Sequence, residues 1–168
     1  MKVLVAYAST RGSTTASAET VAATLRREGL KVCLEPAGEV QSLEGYDSVV
    51  LGSAVYMKRW RGDARHFLKK HRKALRQVPF WVFSSGPVGD PADDDPAWVE
   101  PPKLAEKVED MGGRGHVVFG GCLPSDPEGF MERAMVEGTP KEYRDRRDWA
   151  EIREWAKEIA AALVPVHS

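Results

Sequence analysis

The segment Ser9–Thr15, which reads STRGSTT, concentrates hydroxyl side chains around one glycine. Five of its seven residues carry a hydroxyl group and none is acidic. Hydroxyl groups and the free amides at the start of a helix bind phosphate in proteins, and a carboxylate would repel such a dianion. One Ser or Thr would suffice for ordinary helix capping. The pattern therefore predicts a phosphate-binding loop.

The segment differs from the phosphate loops of other protein classes. A nucleotide P-loop needs Gly-x-x-x-x-Gly-Lys-Ser/Thr, and a dinucleotide fingerprint needs Gly-x-Gly-x-x-Gly. A response-regulator receiver needs clustered acids after its first strand, and a low-molecular-weight phosphatase needs Cys where Ser9 stands. The sequence excludes all four readings at this turn.

The elements that position this loop alternate along the chain. Apolar runs predict five strands, at Val3–Ala8, Leu30–Glu35, Ser48–Ala54, Phe80–Gly86 and His116–Gly121. Four runs are almost continuous, as in strands covered on both faces, whereas the second alternates and indicates an edge. Strict alternation with helices predicts an α/β, doubly wound, five-stranded parallel sheet in the order 2-1-3-4-5, with helices on both faces.

The helices follow from apolar residues at helical spacing. One helix contains Ala18–Leu25, a second runs through Ala64–Leu75, and a third begins near Leu104. A last helix follows Asp148, which with Glu151 forms a start typical of a capping box. Residues 86–102 and 122–147 show no clear period, and we predict loops there.

Length and composition fit one domain, residues 1–168, with its own core. The short apolar start lacks the features of a signal peptide, and no run is long enough to span a membrane, so we expect a cytoplasmic protein. Cys33 and Cys122 lack metal or redox spacing, and the four histidines are scattered, so we predict no metal site.

Charge is unevenly distributed along the chain. The segment Lys58–Arg76 holds nine cations against Asp63, a net charge of +8, so the remainder carries −9 to give the total of −1. Either this is a solvated helix face, or it contacts an anionic membrane or an acidic redox partner. We predict no nucleic-acid partner.

Further motifs give the sequence a family resemblance. The loop Ser9–Thr14, the run GSAVY, the segment WVFSSGPVGDP and the closing helix after RDW are similar to the flavodoxin-like domain family that includes menaquinone-dependent protoporphyrinogen IX dehydrogenase. The resemblance covers nearly the whole chain and implies a bound FMN. In this fold ligands bind at the carboxyl ends of the strands, where the connections diverge between strands 1 and 3.

The resemblance also implies site residues. Around the phosphate it places Ser9, Thr10, Gly12, Ser13 and Thr14, with Arg11 either adding a charge or pointing to solvent. Tyr56 stacks on the flavin or packs on the next helix. The cofactor-binding residues that we predict are Ser9, Thr10, Arg11, Gly12, Ser13, Thr14, Ala54, Val55, Tyr56, Met57, Lys58, Ser85, Gly86, Pro87, Val88 and Gly89.

Three functions remain open from the sequence. Lys58, Arg59 and Arg61 stand where flavodoxins carry acids, which favours a two-electron FMN oxidoreductase acting on a quinone or a porphyrinogen-like molecule. The alternatives are a flavodoxin-type electron carrier and a binding module without FMN. No catalytic acid or base is identified.

Overall fold

The computed structural model describes residues 1–9, 12–56, 59–86, 88, 91–93 and 103–164. The strands in these ranges are β1 (Lys2–Ala8), β2 (Lys31–Pro36), β3 (Ser48–Tyr56), β4 (Arg59–Trp60), β5 (Phe80–Ser85) and β6 (His116–Phe119). The helices are α1 (Ser13–Arg27), α2 (Gly62–Lys70), α3 (Arg72–Leu75), α4 (Leu104–Asp110), α5 (Gly129–Glu137) and α6 (Trp149–Leu163).

The main sheet is parallel and has the strand order β2-β1-β3-β5-β6. The short strand β4 pairs only with the end of β3, in the antiparallel sense, so β5 and β6 are the fourth and fifth strands of the parallel sheet. The order therefore confirms the predicted 2-1-3-4-5 arrangement. Every residue of β5 is buried, whereas β2 is only half-buried at its edge. The apolar patterns of β5 and β2 therefore correctly predicted a covered strand and an edge strand.

Two hydrophobic cores lie on opposite faces of the sheet. Because side chains alternate along a strand, Leu4 and Leu51 enter one core and Val5 and Val50 the other. Helices α2, α3 and α4 cover the first core, and α1 and α6 pack together over the second. The prediction of helices on both faces is confirmed.

Two helices agree with their sequence signals at the ends. The Asp148 carboxylate accepts a hydrogen bond from the Glu151 backbone N–H at 3.1 Å, which caps α6 as predicted. Gly29, with φ +93°, follows the last turn of α1 in a left-handed conformation that glycine adopts without strain.

Three details of the structure differ from the predictions. The helix predicted through Ala64–Leu75 is broken at His71, where φ is −102° and ψ is 18°. Strand β3 continues two residues past Ala54 because β4 folds back and pairs with it. Within residues 122–147, where we predicted a loop, the chain forms α5, a helix with no buried residue.

Candidate functional site

The phosphate loop begins where β1 ends. Gly12 has φ +86° and is the N-cap of α1, and its backbone N–H donates a hydrogen bond to Ser9 Oγ at 3.0 Å. A Cβ built on Gly12 would meet nothing within 4 Å, so the requirement for glycine is conformational. The first turn of α1 contains no acidic residue, which leaves its amide dipoles available to an anion.

Two hydroxyl groups near this turn are buried without a partner. Thr14, in the first turn of α1, is 0% exposed, and Ser85, the last residue of β5, is 2% exposed. Neither Thr14 Oγ1 nor Ser85 Oγ has a hydrogen-bond partner. Because an unpaired buried hydroxyl costs about 1–3 kcal/mol, such groups are rare in structures and often mark an unfilled polar function.

The hairpin formed by β3 and β4 makes the next part of the site. Val55 pairs with Trp60 and Tyr56 with Arg59, so β4 lies antiparallel to the end of β3. Ser53 Oγ fixes the base of the hairpin, since it accepts a hydrogen bond from Arg61 N–H at 3.0 Å and donates one to Ala54 O at 2.9 Å.

A buried polar contact joins this hairpin to the main sheet. The indole Nε1–H of Trp60 donates to Ser84 Oγ at 2.8 Å, and Ser84 Oγ lies 2.7 Å from His116 Nε2. Trp60 is 2% exposed and Ser84 is fully buried. The three side chains therefore connect β4, β5 and β6 beneath the carboxyl edge of the sheet.

The third part of the site is a close approach of backbones at the ends of β3, β5 and β6. Gly86 N–H donates to Phe119 O at 3.2 Å. A Cβ on Gly86 would lie 3.2 Å from Cβ of Val55, and one on Gly121 would lie 2.9 Å from the Gly86 carbonyl oxygen. The contact with a backbone atom requires glycine at Gly121, and the absence of a side chain there brings the chain after β6 against the site.

The residues after this contact add a small charged cluster. Asp145 accepts two hydrogen bonds from the Arg147 guanidinium, at 2.9 and 2.7 Å, and this contact holds the pKa of the Asp145 carboxyl below its usual value. Burial raises the pKa of the Cys122 thiol, which lies beside Asp145 across an isolated antiparallel bridge. The thiol is therefore in its neutral form near pH 7.

Most of the predicted site residues meet at this one edge. Ser9, Gly12, Ser13, Thr14, Ala54, Val55, Ser85 and Gly86 stand at the ends of β1, β3 and β5, with Val88 half-buried shortly after β5. Ala54, Val55 and Tyr56 belong to β3 and not to the loop after it. Thr10, Arg11, Met57, Lys58, Pro87, Gly89 and the side chain of Tyr56 lie outside the described residues.

Sequence reasoning missed Trp60, Ser84, His116 and Gly121. For Trp60 the sequence does carry a signal, because this apolar residue stands between Arg59 and Arg61, the alternation expected of an inward-facing strand residue. The other three have no local pattern, since their contacts join segments that are at least 24 residues apart.

The described residues contain neither a candidate metal site nor a candidate membrane span. No group of three or more His, Cys, Asp and Glu residues within them could hold a metal ion. None of the helices in the described ranges is long and apolar enough to cross a membrane.

Comparison with solved structures gives many proteins of the same fold. A flavodoxin from the domain Archaea superposes with a TM-score of 0.66 at 17% identity, over 97% of this chain and 99% of that one. An oxidised flavodoxin 1 from Bacillus cereus gives 0.62 at 17%, over 98% and 100%. At these identities the likeness concerns the fold alone.

A larger protein contains the same fold as one of its parts. The rubredoxin oxygen:oxidoreductase from Desulfovibrio gigas gives a TM-score of 0.64 at 19% identity, over 96% of this chain and 36% of that one. A search of curated protein sequences returned no match.

Comparison with protein families identifies the chain itself. The family described as flavodoxin domain matches residues 4–148, which is most of the sequence. FMN is the cofactor of flavodoxins, in agreement with the cofactor that the family resemblance implied. On this match, the protein is a member of the flavodoxin domain family.

Proposed function

We propose that the protein binds FMN and acts as a two-electron oxidoreductase on a quinone or a porphyrinogen-like substrate. When bound, FMN supplies the redox chemistry, and the protein binds it, tunes its potential and selects what reaches it. The substrate that we propose follows from the charge beside the site.

The phosphate loop fits the phosphate group of FMN. Ser9, Gly12, Ser13 and Thr14 would hold it, with Thr10 and Arg11 from the same loop. The unpaired Thr14 hydroxyl is the strongest support, because a buried donor without a partner is what a phosphate oxygen would satisfy. Ser85 and Gly86 would approach the cofactor from the other side.

The hairpin of β3 and β4 carries positive charge on the side expected for the ring. Arg59 and Arg61 are exposed and flank the buried Trp60. Positive charge near a reduced, anionic flavin stabilises it and raises its potential. It would also attract the carboxylates of a porphyrinogen. These two arginines are the observation that favours two-electron chemistry.

A second candidate is a flavodoxin-type electron carrier. Its support is that whole flavodoxins superpose over nearly the full length of both chains. A carrier would release electrons singly to a protein partner. A binding module without FMN is a third candidate, and the unpaired Thr14 hydroxyl argues against it.

A redox titration of the FMN-loaded protein tests the proposal. We expect reduction in one two-electron step and turnover with quinones. A separate one-electron stage without quinone turnover would favour the carrier. Protein that stays colourless after incubation with FMN would favour the binding module.

A pair of variants isolates the role of the arginines. Arg59→Gln with Arg61→Gln should lower the midpoint potential of the bound flavin, because two nearby positive charges are lost. Arg72→Gln with Arg76→Gln removes the same charge at the other end of the basic segment, where both residues are exposed, and should leave the potential unchanged. Equal potentials in both pairs would contradict the proposed tuning.

A further inference from the structure

Helix α5 turns its apolar side to solvent. Phe130 is 84% exposed, Met131 74% and Met135 49%, and with Ala134 they follow the spacing of one helix face. The less exposed residues of the helix are Glu132 and Val136. This burial is the reverse of a normal surface helix, in which the apolar face packs on the core. Such a patch indicates an interaction surface.

The chain segment that carries this apolar face is acidic. Residues 124–139 contain four acids, Asp126, Glu128, Glu132 and Glu137, against Arg133, a net charge of −3. Helices that lie on membranes usually carry Lys and Arg beside the apolar face, and an anionic lipid surface would repel this segment. Two α5 helices facing each other would repel as well. The complementary surface is therefore basic.

The same chain carries a surface of that kind. A cleft of about 480 Å³ lies between the loop that leads into β3 and the α2–α3 region, with Leu43, Ala74 and Val78 among its apolar lining and Lys70 and Lys73 at it. Glu44 is the only acid among its lining residues. Lys70 and Lys73 are exposed, and Lys69, Arg72 and Arg76, exposed as well, adjoin them in the sequence. An apolar face on an acidic segment complements an apolar cleft that is lined by Lys70 and Lys73.

The two surfaces cannot meet within one molecule. Helix α5 belongs to a segment that leaves and rejoins the sheet at the carboxyl end of β6, where Leu123 N–H donates to Arg144 O at 2.7 Å. The cleft is lined by residues that precede the amino ends of β3 and β5. The length of the strands, roughly 20 Å, separates the two edges.

We propose that α5 of one molecule docks in the cleft beside Lys70 and Lys73 of a second copy, so that copies associate head to tail. A nine-residue helix gives a small interface, and the association should accordingly be weak and salt-sensitive. This inference does not depend on FMN binding or on the proposed reaction.

Sedimentation of the full chain at low salt over a range of concentrations tests the inference. We expect dimers and larger species that dissociate when salt is added. A helix variant, Phe130→Ser with Met135→Ser, and a cleft variant, Lys70→Glu with Lys73→Glu, should each weaken association at least about tenfold. Both variants change exposed side chains, so the fold should be retained, and circular dichroism checks this.

A mixture of the two variants gives the decisive measurement. The helix variant keeps an intact cleft and the cleft variant keeps an intact helix, so together they should form a one-to-one dimer that grows no further. Val164→Ser, and Arg27→Glu with Lys107→Glu, alter exposed residues elsewhere and should associate like the parent protein.

Several results would overturn the inference. A protein that remains monomeric at all concentrations, or a mixture that forms no heterodimer, excludes the head-to-tail contact. Association lost only in the helix variant would indicate pairing of α5 with α5. Binding to phosphatidylglycerol vesicles that the helix variant loses would assign α5 to a membrane instead.

Discussion

The Thr14 hydroxyl group illustrates how one side chain can be unfavourable for the fold and useful for a site. It is completely buried in the first turn of α1 and has no hydrogen-bond partner. The neighbouring Ser17 and Thr24 hydroxyls, by contrast, donate to backbone carbonyls one turn earlier. The difference points to a ligand oxygen as the missing partner of Thr14.

We predict opposite effects of Thr14→Val on binding and on stability. FMN affinity should fall by about 1–3 kcal/mol, because phosphate oxygens lose a donor, whereas the free protein should keep or gain stability as an unpaired polar group is removed. Fluorescence titration with FMN and urea unfolding measure the two quantities.

The matched control is Thr24→Val on the same helix, where the hydroxyl is buried and already bonded to Thr20 O at 2.9 Å. It should leave FMN affinity unchanged. Equal affinity in Thr14→Val and the parent protein would contradict the phosphate loop.

At the level of single residues, the sequence was informative where chemistry is local. The hydroxyl-rich loop could be predicted because its donors are consecutive and a glycine marks its turn. The unpaired state of Ser85 could not be predicted, because the pairing of a hydroxyl depends on every segment that the fold brings near it.

Strand β4, an element of two residues, is fixed by its pairing with β3 and by a few polar contacts. Its Trp60 is held to β5 by the hydrogen bond to Ser84 Oγ, which is buried. Ser53 Oγ fixes the base of the hairpin. The position of the hairpin therefore rests in part on buried side-chain oxygens of β3 and β5.

We predict that Ser84→Ala destabilises the protein by about 1–3 kcal/mol, because the indole N–H of Trp60 loses its acceptor in a buried position. Adding Trp60→Phe removes the orphaned donor and should recover part of this loss. Urea unfolding of the two single variants and the double variant gives the coupling energy. Strictly additive effects would show that the contact does not hold the hairpin.

The break between α2 and α3 occurs at a histidine that faces inward. His71 is 6% exposed and packs against Phe67 with ring centroids 4.6 Å apart. Burial lowers the pKa of His71, the charge of Lys70 lowers it further, and a hydrogen bond to the Val40 backbone opposes the shift. The helical period predicted this inward position but not the break, because the contact with Val40 is not local.

The lowered pKa of His71 predicts a loss of stability in acid. Since the unfolded chain takes up a proton near pH 6.5 and the folded chain resists it, stability is complete above that pH and falls below it. The slope should reach at most about 1.4 kcal/mol per pH unit. The slope should be smaller in His71→Leu. His66 is exposed, and His66→Gln should keep the slope of the parent protein. Urea unfolding at pH values above and below 6.5 measures both.

At the scale of the whole molecule, the order of the strands followed from the sequence. Alternation in the second run predicted an edge, in agreement with the doubly wound order, whereas the continuous run of β6 did not reveal that this half-buried strand forms the other edge. Helix α5 could not be predicted in this way, because its apolar residues have no place in either core. Its exposed apolar face is the basis of the docking that we propose.

The strand order also predicts the fate of the two cysteines. Cys33 lies in β2 and Cys122 follows β6, at opposite edges of the sheet, about 19 Å apart over four strand spacings. No disulfide can span that distance. Mild oxidation should leave both thiols free within each molecule, as peptide mass spectrometry under non-reducing conditions would record; an internal Cys33–Cys122 bond would overturn the strand order.

Two backbone hydrogen bonds join the ends of the segment between Leu123 and Arg144. One runs from Leu123 N–H to Arg144 O and the other from Arg146 N–H to Gly121 O at 2.9 Å. The segment between them can therefore be exchanged as a unit. Its two ends already run side by side, so a short turn or a foreign reporter could replace it without altering the strand order.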